Sequence, residues 1–289
     1  MPKFTVKQFH AKYPDDDACL NELWQNRYGA LKSCPFCLQE SKFYRAAGKK
    51  HWDCARCGAH LSPLADTIFH KSSTPLKDWF FAIYLFANSK NGVSAKELER
   101  HIGVTYKTAW RMAKQIRQLF ASAGEPLGGT IEADETYVGG IRPGKRGRGA
   151  EGKTPVIGVV ERGGRIHASV IANTKASTVI PFVWNAVKPG ATIMTDENAA
   201  YNRLPKLLHG FTHKTITHSS GQYVNGDVHT NTIEGFWSQL KRGINGTYHA
   251  VSPKYLQSYV DEFAYRYSHR HSEEHLFHKL IPMAAKRVV

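Results

Sequence analysis

Four cysteines near the amino terminus limit how this chain can fold more than any other feature of the sequence. They form two Cys-x2-Cys pairs separated by sixteen residues, Cys34-Pro-Phe-Cys37 and Cys54-Ala-Arg-Cys57. This spacing is typical of a tetrahedral zinc site, because thiolates are soft donors and four of them leave no open coordination position. We therefore expect a ribbon over residues 28–66 that holds one structural Zn²⁺, after a helical segment over residues 1–27. Whether this ribbon contacts DNA or protein is a question that the sequence leaves open.

The charge of the chain indicates a polyanionic partner. Lys and Arg outnumber Asp and Glu by 39 to 24, which gives a net charge of +15. Such a surplus is typical of proteins that bind nucleic acid or an anionic membrane, although it says nothing about chemistry. No apolar run approaches the ~18 residues that a membrane span needs, and no secretory signal is evident. We expect no membrane partner, and a reducing cytoplasmic, nucleoid-associated location in a prokaryote.

Residues 74–122 are predicted to form a helix-turn-helix module. A helix from Pro75, a second opened by Ser94 and a third from Thr105 are separated by a tight turn at Gly103-Val104. The third helix would turn its polar side chains toward a DNA groove or phosphates; these are Tyr106, Lys107, Arg111 and Lys114. The alternative is an ordinary helical hairpin with a solvated basic face.

Strand patterns begin after Gly128-Gly129 and continue to about residue 270. We predict strands over 130–138, 154–161, 165–172, 191–195 and 211–217, and helices over 176–187, 199–208, from 229 and from 253. This order is that of an α/β RNase H-like (retroviral-integrase-like) domain, here assigned to residues 128–270. Residues 271–289 would be a C-terminal tail, and the fold class is therefore multidomain.

The segment from His229 to Arg242 is predicted to be a helix with two distinct sides. One side is apolar at the spacing of a buried face and carries Ile233, Phe236, Trp237, Leu240 and Ile244. The other side carries polar groups three or four residues apart: Asn231, Glu234, Ser238 and Lys241. The helix would dock on a core while it aims a carboxylate and an ammonium at one place. Alternatively, Asn231 and Glu234 form a structural capping box.

Three acidic residues fall where the predicted topology would bring them to one sheet edge. Asp134 lies on the first strand, Asp196 at the end of the fourth and Glu234 on the helix after the fifth. Three oxygen donors there suit two Mg²⁺ or Mn²⁺ ions roughly 3.5–4 Å apart, which stabilise both oxygens of an in-line phosphodiester displacement. Asp196 could instead cap a helix beside Asn198. Strand alternation places Glu132 with Asp134 and Glu135 on the opposite face.

Three motifs resemble the DDE-class insertion-sequence transposases that carry an N-terminal zinc ribbon (the ISXO-like and Merlin-like family). They are residues 134–140, Asp-Glu-Thr-Tyr-Val-Gly-Gly, residues 195–197 with Tyr201, and residues 229–238 with Lys241-Arg242. The resemblance covers nearly the whole chain. It implies a transposase that uses metal-assisted hydrolysis to free a 3′-OH at the element end and then joins that 3′-OH to target DNA.

The resemblance also implies roles for individual residues. Asp134 and Asp196 match the first two metal ligands, and the third is either Glu234 or Asn231. We favour Glu234, because an ionised carboxylate binds Mg²⁺ better than a neutral amide and Lys241 follows seven residues later on the same side. Lys241 and Arg242 would contact DNA. A basic loop over 139–153 would lie against phosphate or be merely solvated; its cations include Lys145, Arg146 and Arg148.

The expected partners are double-stranded DNA, as terminal inverted repeats and target, and further copies of the chain. A dimer or higher oligomer is expected because two element ends must be paired. Two other functions stay open: a domesticated DNA-binding regulator whose RNase H-like domain is silent, and a stand-alone metal-dependent nuclease that releases its products unjoined.

Overall fold

The computed structural model describes residues 3–121, 124–139, 152–204, 210–216 and 229–286. The chain divides into two compact units. The ribbon unit comprises Met1–Ser89, Val93–Leu119 and Ser272–Val289, and the sheet unit comprises Lys90–Gly92 and Phe120–His271. Within the described ranges, every helix is too short or too polar to cross a membrane.

The first part of the ribbon unit joins two helices to a small sheet. Its elements are α1 (Val6–Lys12), α2 (Asp16–Tyr28), β1 (Phe43–Tyr44), β2 (Trp52–Cys54) and β3 (His60–Leu61). The three strands are antiparallel in the order β1-β2-β3. Trp24 of α2 stacks on Trp52 of β2 with ring centroids 4.2 Å apart. This stacking buries both indoles and fixes the sheet against α2.

The rest of the ribbon unit is helical. It contains α3 (Leu76–Asn88), α4 (Ala95–Ile102), α5 (Tyr106–Gln118) and, near the carboxyl terminus, α9 (Leu276–Ala284). Gly103 ends α4 at φ +77°, a left-handed conformation that glycine adopts without strain, and Thr105 caps α5. The three expected helices are therefore present, whereas their assignment as a DNA-binding helix-turn-helix stays a prediction. In the predicted tail, α9 buries Phe277 and Leu280 and packs on α3.

The sheet unit contains a five-stranded mixed sheet in the order β6-β5-β4-β7-β8. The strands are β4 (Thr130–Val138), β5 (Thr154–Glu161), β6 (Ile166–Val170), β7 (Thr192–Thr195) and β8 (Thr212–Thr215). β4 to β6 pair antiparallel, whereas β4, β7 and β8 run parallel. The order of these strands along the chain agrees with the prediction from the sequence. The helix expected over 199–208 is a 3-10 helix, Ala199–Arg203, and residues 205–209 lie outside the described residues.

Helices cover both faces of this sheet. They are α6 (Ala176–Ala186), α7 (Asn231–Arg242), which continues into a π-helical segment (Gly243–Tyr248), and α8 (Pro253–Ser268). Side chains of β5 alternate between two cores: Ile157 and Val159 pack with α6, and Val156 and Val160 pack with α7 and α8. The apolar side predicted for α7 is buried along its whole length. The sheet thus fixes α7 across β4 and β5.

Candidate functional site

The four cysteines meet at one point of the ribbon unit. Their sulfur atoms all lie within 4.8 Å of one another, and the Sγ atoms of Cys34 and Cys57 are 3.8 Å apart. Each pair is closed by the same turn, since Leu38 donates its N–H to the carbonyl of Cys34 and Gly58 to that of Cys54. Four converging thiols with no other donor type fit a structural zinc ion. The predicted zinc ribbon is confirmed in its geometry.

The fifth cysteine has no part in this cluster. Cys19 is buried in α2, and burial raises the pKa of its thiol. A thiol in such surroundings is a small apolar core group. It offers a matched control for the four ligands.

Asp134 and Asp196 lie side by side at the edge of the mixed sheet. Ala133 of β4 pairs in parallel register with Thr195, the last residue of β7, so Asp134 within β4 and Asp196 directly after β7 are neighbours. Burial, together with the charges of Asp196 and Glu135, raises the pKa of Asp134 to about 7. Such a shift is typical of carboxylates that share a site. Hard oxygen donors in mutual repulsion are the kind of group that a divalent cation stabilises.

Helix α7 presents a polar side to Asp134. The indole N–H of Trp237 donates to Asp134 Oδ2 at 3.0 Å. Desolvation lowers the pKa of Lys241, while the charge of Asp134 acts in the opposite direction. Glu234 is one turn before Trp237 and Lys241 one turn after it, so all three belong to the same side of the helix. The sequence placed Glu234 and Lys241 there but gave Trp237 only a core role.

The carboxylates of Asp134, Asp196 and Glu234 do not all lie within 4.8 Å of one another, the spacing that a shared metal ion would need. The thiol cluster and a His51, Asp53 and His60 cluster are the only such groups among the described residues. Glu234 is exposed, and its Oε1 accepts a hydrogen bond from the Thr230 hydroxyl at 3.0 Å.

The start of α7 differs from the predicted capping box. Thr230 is the N-cap residue and makes no side-chain cap, and Asn231 is the first helical residue and is exposed. Asn231 therefore does not cap this helix.

A buried carboxylate from β4 caps α7 instead. Glu132 is fully buried, and its Oε2 accepts the backbone N–H groups of Thr232 at 2.8 Å and Ile233 at 3.1 Å. Its Oε1 accepts from the Thr232 hydroxyl and from Arg162 Nε, at 2.8 and 2.7 Å. A negative charge at a helix N-terminus is stabilising. Because Glu132 and Asp134 share one face of β4, this cap fixes the polar side of α7 relative to Asp134. Sequence reasoning missed this role.

Glu135 points to the other face, as strand alternation predicted. Its Oε2 accepts from the side-chain amide of Asn198 at 3.0 Å, while the backbone N–H of Asn198 donates to Asp196 Oδ1 at 3.0 Å. Burial raises the pKa of Tyr201 well above its usual value, and the nearby charge of Glu135 raises it further. Asn198 thus connects Glu135 of β4 with Asp196. Asn198, and not Asp196, caps the following 3-10 helix.

The basic residues expected to contact DNA are only partly described. Tyr106, Lys107, Arg111 and Lys114 are all exposed on α5, while the same helix buries Ala109, Met112 and Ile116. Lys241 and Arg242 are exposed at the end of α7. Lys145, Arg146 and Arg148 lie outside the described residues.

Two family models match separate parts of the chain. Residues 126–268 match the ISXO2-like transposase domain, and residues 14–60 match the transposase zinc-ribbon domain. The first range contains Asp134, Asp196 and Glu234, and the second contains all four zinc-binding cysteines.

Two curated relatives also come from transposable elements or are transposase-like by description. A protein in transposable element ISH50 of Halobacterium salinarum is 29% identical over 264 residues, which cover 85% of this chain and 88% of that protein. A transposase-like protein of Haemophilus influenzae is 24% identical over 104 residues, covering 36% of this chain and 81% of that protein.

Solved structures give only weak similarity. A simian T-cell lymphotropic virus intasome in complex with the PP2A regulatory subunit B56 gamma matches at TM-score 0.30 and 14% identity, covering 63% of this chain and 67% of that chain. The Mos1 strand transfer complex matches at TM-score 0.25 and 12% identity, covering 73% and 79%. At these scores neither match supports a conclusion about this chain.

Proposed function

Because the chain belongs to the ISXO2-like transposase family, we propose that it cleaves the 3′ ends of its element and transfers them to target DNA. The observation that carries this proposal is the pair of adjacent carboxylates on two neighbouring parallel strands, Asp134 within β4 and Asp196 directly after β7. The raised pKa of Asp134 reflects burial and like charge, which a bound divalent cation would offset. The strand order, with three antiparallel strands followed by two parallel ones, supports an RNase H-like catalytic domain.

Asp134, Asp196 and Glu234 are proposed to hold Mg²⁺ or Mn²⁺. Their oxygen donors fit hard cations, and Glu234 lies on the side of α7 that faces Asp134. When bound, two such ions supply Lewis-acid stabilisation of the attacking and leaving oxygens. Joining the set requires Glu234 to change rotamer and give up its hydrogen bond with Thr230. Asn231, on the first turn of the same helix, is the alternative third ligand.

Cations of both units are proposed to bind the DNA backbone. Lys241 lies within electrostatic range of Asp134, so its ammonium would hold a phosphate beside the metal ligands. The exposed basic side of α5 (Lys107, Arg111 and Lys114) would contact DNA, as would Tyr106 and the cations of the 139–153 loop. These contacts position the substrate and do not themselves react.

An assay with labelled terminal-repeat DNA and a target plasmid tests the proposal. We expect Asp134→Asn and Asp196→Asn to lower 3′-end cleavage and joining by at least about 10³-fold and to leave DNA retention unchanged, because they remove charge stabilisation of the transition state. Glu125→Gln, at an exposed carboxylate of the sheet unit outside the three motifs, is the control and should stay active. Comparison of Glu234→Gln with Asn231→Ala identifies the third ligand.

The same assay separates the other two functions. Cleavage without joined products would make the protein a nuclease. Retention of terminal-repeat DNA without cleavage by the unaltered protein would make it a regulator. Equal loss of cleavage and DNA retention in Asp134→Asn would assign Asp134 a role in folding.

A further inference from the structure

A second cluster of metal-ligating side chains lies on the ribbon, apart from the four cysteines. It consists of His51, Asp53 and His60, each of which offers one ligand atom within 4.8 Å of the others. His51 Nε2 is 3.5 Å from Asp53 Oδ1, and His60 Nδ1 is 2.5 Å from the same oxygen. The two imidazole centroids are 4.3 Å apart.

The backbone builds this cluster. His51 directly precedes β2 and its ring lies beside the Asp53 carboxylate, and Asp53 pairs directly with His60 of β3. Trp52 and Cys54 alternate to the other side, where both are buried. The ribbon therefore buries one side of β2 against α2 and the thiols, and gathers two imidazoles and a carboxylate on its opposite side.

We propose that His51, Asp53 and His60 bind a second divalent transition-metal ion, with zinc as the favoured occupant. Imidazole nitrogen and carboxylate oxygen suit Zn²⁺ and related ions, whereas Mg²⁺ prefers oxygen donors alone. Ligands about 2.0–2.1 Å from a tetrahedral ion lie roughly 3.4 Å apart, close to the His51–Asp53 separation. The shorter His60–Asp53 contact is a hydrogen bond that an ion would replace.

The two ribbon sites would differ in chemical character. The four thiols fill every position of a tetrahedral ion, and two of them, Cys34 and Cys54, are buried. The side chains of His51, Asp53 and His60 are 27%, 39% and 67% exposed, and three ligands leave at least one position for water. The second ion would therefore exchange faster and bind more weakly than the first.

Zinc content of the full-length protein tests this assignment. The protein is dialysed against buffered zinc with excess magnesium, which occupies oxygen-only sites, and its metal is counted by mass spectrometry. We expect His60→Ala and Asp53→Asn each to lose one zinc equivalent relative to the unaltered chain. His101→Ala, an exposed histidine on α4, should lose none.

Cobalt substitution keeps the test informative if a variant misfolds. Thiolate-to-cobalt absorption reports the four-cysteine site alone, so a variant that keeps this absorption has a folded ribbon. Loss of one equivalent with unchanged thiolate absorption supports the second site. Equal zinc content in the unaltered chain and in a variant with intact thiolate absorption overturns it. If His60→Ala loses the thiolate absorption, its ribbon is misfolded, and the isosteric Asp53→Asn variant is judged by the same two measurements, zinc content and thiolate absorption.

Discussion

The thiol centre of the ribbon unit and the carboxylate edge of the sheet unit are held in opposite ways. In the ribbon, four donors from two neighbouring turns converge directly, and their sulfur atoms define the site. At the sheet edge, the proposed donors Asp134, Asp196 and Glu234 come from β4, the end of β7 and α7, and the contacts that hold α7 against β4 come from side chains outside this proposed set. Glu132 and Trp237 are the clearest examples.

This difference determines where each centre is vulnerable. A small ribbon has little apolar core, so metal binding supplies much of its folding free energy. The sheet unit has two cores of its own, so it can fold without a metal, and its donor geometry depends on packing. Ligand loss should therefore unfold the ribbon, whereas at the sheet edge the loss of a supporting residue should do more structural damage than the loss of a donor.

Replacing a zinc ligand should have the largest effect. We expect Cys34→Ser to lose the thiol-bound zinc and to unfold the ribbon, because structural zinc binding is worth about 10–16 kcal/mol in small domains. Zinc content and protease resistance of residues 28–66 measure the outcome, and binding of terminal-repeat DNA should weaken. Cys19→Ala, at the buried cysteine outside the cluster, should keep its zinc. Full zinc content in Cys34→Ser would exclude the four-cysteine site.

Removing the cap of α7 should rank second. Glu132→Gln leaves the Arg162 guanidinium without its buried counter-ion and weakens the acceptor for two backbone N–H groups. A broken buried ion pair costs about 3–5 kcal/mol. We expect a lower thermal unfolding temperature and lost cleavage, with unchanged zinc content.

Glu125→Gln, an exposed glutamate, is the control for the cap. If Glu132→Gln unfolds at the same temperature as the control, the cap does not stabilise α7. The sheet edge would then not depend on supporting residues in the way that distinguishes it from the ribbon. Unchanged cleavage in Glu132→Gln would mean that the cap does not align the donors.

Sequence reasoning succeeded where the pattern is local. The cysteine spacing, the strand order and the buried side of α7 follow from residues close together in the chain, and all three agree with the structure. The cap could not be predicted, because Glu132 and Thr232 are 100 residues apart, and strand alternation gives the face on which Glu132 lies but not its partner. The burial of α9 on α3 also depends on tertiary packing that a short apolar segment does not specify.

A methyl group added to β5 should disturb the sheet edge more gently. Gly158 pairs with Asp134, and a Cβ there would lie 2.8 Å from the Trp237 ring. Gly158→Ala should displace the indole from Asp134, at a cost of about 1–3 kcal/mol for overpacking. Gly235→Ala on α7 meets no atom within 4 Å and should be neutral or stabilising by up to about 1 kcal/mol. Equal unfolding temperatures and equal cleavage in the two variants would show that β5 tolerates the methyl group.

Two partly buried carboxyl groups of the sheet unit, Asp261 and Asp134, provide the finest test of the comparison. Burial raises the pKa of Asp261 from 3.8 to about 6, and no other carboxylate contributes to this shift. The pKa of Asp134, in contrast, is raised by its acidic neighbours as well as by burial. The folded state therefore binds the Asp261 proton more tightly than the unfolded state does. The free energy of unfolding should fall as pH rises from about 4 through 6. Asp261→Asn stays neutral and can still accept the hydrogen bond from Gln257.

We therefore expect Asp261→Asn to match the unaltered chain near pH 4. Above pH 6 it should be more stable by about 2 kcal/mol, allowing for partial solvent screening. Denaturant unfolding in magnesium-free buffer at several pH values measures this difference. Added magnesium should stabilise both proteins equally, because Asp261 is a single carboxyl apart from the proposed ligands. If magnesium stabilises the unaltered chain but not Asp261→Asn, the cation binds at Asp261. This result would contradict the proposal that Asp134 and Asp196 form the magnesium site.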